Sequence, residues 1–180
     1  MELSAWISIA SICAVGAMSP GPSLAVVIRN TIAGGRLQGV LTGIGHALGV
    51  GIYALVAVFG MAVLLQRFPS AMRGIEVLGG LYLLWMGIQV FRHAGEGSMN
   101  PDKDSGHQGF VDGLAISGLN PKIAVFFLAL LGPFIPPEAS HLERVGVAGM
   151  ALIIDGCWYV FVAIMLVQTG AADWLSKQGK

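Results

Sequence analysis

A cluster of helix breakers, Ser19-Pro20-Gly21-Pro22, lies inside an apolar run from about Ala5 to Ile28. Nothing else in the chain restricts the fold as strongly. Each proline lacks a backbone N–H and crowds the carbonyl of the preceding turn, and Gly21 tolerates almost any dihedral pair. The cluster therefore unwinds a helix locally and frees carbonyls that lipid cannot satisfy. Irregular backbone at membrane depth persists only where it is buried in protein or lines a watery cavity. A second breaker, Asn120-Pro121-Lys122, stands about a hundred residues later, again within an apolar run. Breakers in corresponding spans of two half-chains point to the substrate site of a transporter.

The residues around these breakers suit a bilayer. Of 180 residues, 55% are hydrophobic and 11% charged, with a mean hydropathy of +0.75; a soluble domain carries about a quarter charged residues. The apolar runs are long enough to cross a membrane, so the chain reads as an all-α polytopic membrane protein. Its formal net charge is zero and it has no basic block, which argues against nucleic acid as a partner. Cys13 and Cys157 belong to no CxxC pair and have no His at ligand spacing, so neither a metal nor a cofactor is expected. Val15-Gly16-Ala17 resembles a cleavage site, but the first residues carry Glu2 and no Lys or Arg, so the first span is expected to stay.

Five transmembrane helices are expected. Span one covers residues 5–28, and Gly34-Gly35-Arg36 connects it to span two at residues 37–65. Gly35, Gly39 and Gly43, then Gly45 and Gly49, recur at intervals of four and form a groove for close helix packing. Span three covers residues 74–91, with Leu81, Tyr82, Trp85 and Met86 on one stripe and Trp85 near an interface. Residues 93–108 form a polar linker. Span four covers residues 110–131 and places Pro121 about 16 Å from Phe110, roughly halfway through a hydrocarbon core of about 30 Å. A loop through Pro133, Pro136, Pro137 and Glu138 to Arg144 leads to span five at residues 145–167, with Asp155 near its middle.

This gives a first repeat of three spans over residues 1–92 and a second of two spans with a polar tail over residues 109–180. An odd number of spans per half inverts the second copy. The arrangement therefore reads as a 3+3 inverted-repeat transporter lacking its sixth helix. A homodimer through the Gly35, Gly39 and Gly43 ridge, or further coding sequence, would cover the face so exposed. Arg29, Arg36, Arg92, Lys103, Lys122, Lys177 and Lys180 fall toward one side and Arg67, Arg73 and Arg144 toward the other. The richer side is expected in the cytoplasm, with the N-terminus outside.

Ser19-Pro20-Gly21-Pro22 closing the first span, the glycine-spaced second span, and Asn120-Pro121-Lys122 before an aromatic run resemble the lysine exporter (LysE/RhtB) family over nearly the whole chain. The chain departs from that pattern at Ser23, where members often carry Asn or Asp, and at Lys180, where members usually continue into another span. The resemblance implies a secondary transporter, not an enzyme, in the bacterial inner membrane. It would export amino acids or their derivatives, driven by proton antiport. Its partners would be the amino acid, protons and the lipid bilayer.

The candidate substrate-binding residues are Ser19, Pro20, Gly21, Pro22, Ser23, Asn120, Pro121 and Lys122. Unwound carbonyls suit an ammonium, and a helix N-terminus suits a carboxylate. Asp155, a costly mid-span carboxylate that must be paired, hydrated or protonated, is the first candidate for proton coupling; His46 is the second. Lys122 either pairs with Asp155 or reaches water along its apolar stem. One alternative is a membrane disulfide or electron carrier using Cys13 and Cys157, although neither has the neighbours that tune a reactive thiol. Another is a non-transporting membrane subunit. Cation transport lacks support, because no cluster of acidic or soft ligands is present.

Overall fold

The computed structural model describes residues 1–67, 108–127, 129, 134–136 and 138–169, with the single positions 74, 77, 78, 81 and 84. Among them all regular structure is helical. Helix α1 spans Leu3–Met18 and stops because Ser19 precedes a proline, which pushes it out of the helical region; its φ and ψ are −66° and 123°. Helix α2, Pro22–Arg67, starts with Pro22 at the first helical position, where a missing N–H costs nothing. Helices α3, Gln108–Leu119, and α4, Pro121–Phe126, flank Asn120 in the same way. Asn120 Oδ1 accepts the Lys122 backbone N–H at 3.0 Å, so the residue that ends one helix caps the next.

Helix α5, His141–Gln168, begins earlier than the expected span five. Ser140 and Glu143 form a reciprocal capping box that draws residues 141–144 out of the loop and into the helix. Arg144, expected as a loop charge, is buried. It donates to the carbonyls of Val58 at 2.8 Å, Ala139 at 3.0 Å and Pro136 at 3.3 Å, tying the preceding loop to α2. Pro22–Gly60 and His141–Gln168 are long and apolar enough to cross a membrane, with mean hydropathies of 1.8 and 2.2; α1 is apolar and shorter. The third expected span lies outside the described residues apart from positions 74, 77, 78, 81 and 84, which are helical. The linker up to residue 107, Pro133 and the tail also lie outside them.

Glycines decide how these helices approach. Gly39 faces Thr31 and Ala163, and Gly43 faces the backbone of Tyr159 and Val160, so one ridge of α2 lies against α5. Gly45 meets the backbone of Phe110, and Gly49 meets Ser117, so the other ridge takes α3. All four glycines sit at close helix approaches. The Gly39/Gly43 ridge is filled within the chain, which removes it as the surface for a second copy. Gly35 differs: none of the described residues lies near it, and its φ of 73° kinks α2 between residues 34 and 36. It is a hinge of the backbone, in a region that favours glycine.

Gly113 of α3 sits against the Thr42 carbonyl. Gly113→Leu is expected to cost about 1–3 kcal/mol or more, because backbone cannot yield as a side chain can. It should show a lower melting temperature in detergent, with Gly118→Ala, which faces open space, as the unchanged control.

Two apolar clusters form the core. One joins Ile9, Cys13, Val58, Phe127 and Val147; the other joins Val27, Tyr159 and Ala163. Between and around them lies a set of buried polar side chains: Ser23, Asn30, Thr31, Thr42, His46, Ser117, Asn120 and Asp155. So many buried polar groups within long apolar helices need partners, and those partners build the site.

Candidate functional site

The two broken stretches, α1 into α2 and α3 into α4, run antiparallel with their breaks opposed. Asn30 Nδ2 donates to Asp112 Oδ2 at 3.0 Å near one end. Asn120 Nδ2 donates to Ser23 Oγ at 3.0 Å at the breaks themselves. Lys122 Nζ donates to the Ser19 carbonyl at 3.1 Å, and beyond it the Phe126 ring fills the space beside Gly16. Each contact joins residues about a hundred apart in sequence. Together they bring Ser19, Gly21, Ser23, Asn120 and Lys122 to one cavity wall. Pro20 and Pro22 are exposed, so they shape the break without lining the cavity. Pro121 contributes the first residue of α4.

The cavity has about 50 Å³ open to the centres of water-sized molecules, several times the roughly 10–15 Å³ that one water needs. His46 of α2 and Asp155 and Tyr159 of α5 also line it. His46 Nδ1 lies 2.7 Å from Asp155 Oδ2, with both side chains buried. The imidazole stands edge-on to Tyr159, with ring centroids 4.6 Å apart. His46 Nε2 is buried with no hydrogen-bond partner among the described residues. Cys13, Phe126 and Phe127 close the apolar side.

The geometry corrects one expectation. Lys122 does not pair with Asp155: it is half-buried and donates its ammonium to the carbonyl that the first break releases. Asp155 takes His46 instead, joining the two residues expected separately for proton coupling. Cys13 is buried in the cavity wall while Cys157 sits on the exposed face of α5, so the two cysteines do not share a space. Among the described residues no group of His, Cys, Asp and Glu is placed to hold a metal.

Sequence reasoning missed several participants. Tyr159 follows Asp155 by four residues, which places both on one helix face, and that spacing could have found it. A polar cluster at one end was missed entirely. Asn30 Nδ2 also donates to Thr42 Oγ1 at 3.0 Å, the Gly109 N–H donates to Gln38 Oε1 at 3.0 Å, and Arg29 stands 3.7 Å from Asp112. The Asp112 carboxylate within an apolar run was its signal.

The LysE type translocator family model matches residues 14–178 of the chain. The uncharacterized membrane protein YahN of Escherichia coli (strain K12) is 30% identical over 149 residues, covering 81% of this chain and 67% of that protein. The threonine efflux protein of the same strain is 26% identical over 167 residues, 89% of this chain and 81% of its own length. The homoserine/homoserine lactone efflux protein of Salmonella typhimurium is 29% identical over 157 residues, 86% and 72% of the two chains. No solved structure matches the chain.

Proposed function

Because the chain belongs to the LysE type translocator family, we propose that it exports an amino acid or close derivative from the bacterial cytoplasm across the inner membrane in exchange for protons. As a family member it is a transporter and not an enzyme. The observation that carries the substrate class is the charge pattern of the cavity. Among its described lining residues Lys122 is the cation, Asp155 the carboxylate, and His46 brings an imidazole beside that carboxylate. A zwitterion needs both signs within one small space.

In this reading the substrate carboxylate meets Lys122 and the N-terminus of α2, whose first residues follow the break. The ammonium meets the Asp155–His46 side. The Ser23–Asn120 pair offers a donor and an acceptor to a short polar side chain, in keeping with the threonine and homoserine in the names of two relatives. Residues 1–92 and 109–180 would be inverted copies joined by the linker 93–108, with five spans in this chain. The antiparallel run of the two broken stretches supports that reading, since a pseudo-two-fold axis in the membrane plane opposes equivalent breaks.

The test is direct. Cells overexpressing the chain should survive a toxic concentration of the exported amino acid or its analogue, and purified protein in vesicles should exchange the labelled compound. Vesicles that move no labelled amino acid above empty controls would sink the proposal. Lys122→Met keeps the stem and removes the charge. A charge-assisted hydrogen bond is worth about 1.5–3 kcal/mol, so substrate binding should weaken about ten- to hundredfold, as measured by the concentration giving half-maximal exchange. Unchanged affinity would place the carboxylate elsewhere.

A further inference from the structure

We infer that the ammonium of the substrate and the exchanged proton are alternative occupants of one atom, Nε2 of His46, and that this exclusivity couples export to protons. The inference rests on the export reading above and specifies its ammonium subsite.

The argument begins with the hydrogen bond between His46 Nδ1 and Asp155 Oδ2, 2.7 Å long. An ionised carboxylate only accepts, so the ring proton of a neutral His46 sits on Nδ1 and Nε2 is left as a bare acceptor. His46 lines the cavity and is only 1% exposed, and its Nε2 has no partner among the described residues. A buried acceptor without a donor is costly. Besides a cavity water, two donors that a transporter of amino acids meets can satisfy it: a proton, or an N–H of the substrate ammonium.

They exclude each other. With Nε2 protonated, the imidazolium is a cation paired with Asp155 and presents a donor, which repels an ammonium. With Nε2 bare, it accepts from the ammonium, and Asp155 supplies the counter-charge through Nδ1–H. The exchange balances. The Nε2–H bond of the imidazolium breaks, the proton leaves on a cavity water toward one side of the membrane, and the ammonium takes the vacated lone pair. On the other side the ammonium departs and a proton from water returns to Nε2. No other bond forms or breaks.

The other titratable groups of the cavity do not replace His46 in this role. Tyr159, on α5, presents its ring to the imidazole edge-on. Cys13, on α1, contributes a neutral thiol to the apolar wall. Lys122, on α4, is engaged by the Ser19 carbonyl. From α3, Gly113 and Ser117 face α2 and carry no charge.

The test compares a labelled amino acid with its α-hydroxy acid analogue, which keeps the carboxylate and side chain but brings no ammonium. On the parental protein in detergent, the apparent dissociation constant of the amino acid should rise with acidification, by up to about tenfold per pH unit, as a single competing proton requires. Binding of the hydroxy acid should lack this slope. His46→Gln should bind the amino acid with no pH slope, retain exchange, and lose accumulation driven by a pH difference. Equal slopes for the two ligands would overturn the inference even if His46→Gln fails to fold, as would a His46→Gln protein that keeps the parental slope. Absence of amino-acid binding by the parental chain at every pH would instead overturn the export reading itself.

Discussion

Asp155→Asn is expected to exchange substrate across vesicle membranes yet lose accumulation against a gradient. The substitution preserves shape and keeps an amide oxygen to accept from His46 Nδ1, 2.7 Å from the present carboxylate oxygen. It removes the counter-charge of a protonated His46. An imidazolium buried beside a neutral amide has no counter-charge, and an unpaired buried charge is strongly disfavoured. The variant is therefore held in the form that accepts the ammonium, at weakened affinity because the counter-charge is gone. With one proton exchanged per substrate, an imposed difference of two pH units sets a ceiling of about hundredfold accumulation. The variant should fall to parity. Reconstituted vesicles with labelled substrate and an imposed pH difference measure both quantities. If Asp155→Asn still accumulates substrate at the parental level, the carboxylate is structural and the coupling group lies elsewhere.

The double substitution Pro20→Ala with Pro22→Ala should abolish export while the protein remains inserted and folded. Each proline disfavours a helix interior by about 3 kcal/mol relative to alanine, so replacing both allows α1 and α2 to join. The Ser19 carbonyl, which now accepts from Lys122 Nζ at 3.1 Å, would then accept from the Ser23 N–H in a regular helical turn. Lys122 loses its partner, and the Ser23 hydroxyl turns away from Asn120 Nδ2, its neighbour at 3.0 Å. The cavity wall is rebuilt although neither proline lines it. Transport falls to the level of empty vesicles, and the melting temperature in detergent stays level or rises. Export at the parental rate would mean that the break is dispensable.

How much of this protein a reader of the sequence can foresee depends on how local each cause is. The breaks at Ser19-Pro20-Gly21-Pro22 and Asn120-Pro121 were legible because proline acts within one turn of its own backbone. The membrane class was legible because hydropathy sums over a single run. The close approach at Gly39, Gly43, Gly45 and Gly49 was legible as a tendency, since small residues four apart leave a groove whatever fills it. The capping box at Ser140 and Glu143 was equally local and could have been read, which would have placed the start of α5 correctly. What fills each groove was not legible: which ridge takes α5 and which takes α3 depends on how three helices share one space. Gly35 shares the spacing of its neighbours and yet is a kink, because the position of the two halves of α2 against α5 and α3 decides its φ. Asp155 was identifiable as a costly buried carboxylate, but its partner was not. Lys122 was the candidate by charge, and only the rotation of α5 and the translation of α2 put Nδ1 of His46 within 2.7 Å instead. Lys122 meets the Ser19 carbonyl, and Asn30 meets Asp112, through contacts that no local pattern encodes. The chain chemistry determined where helices must stop and which groups cannot remain unpaired in an apolar interior; the tertiary structure decided the pairing, since hydrogen bonds of a few ångströms depend on placements that only packing specifies.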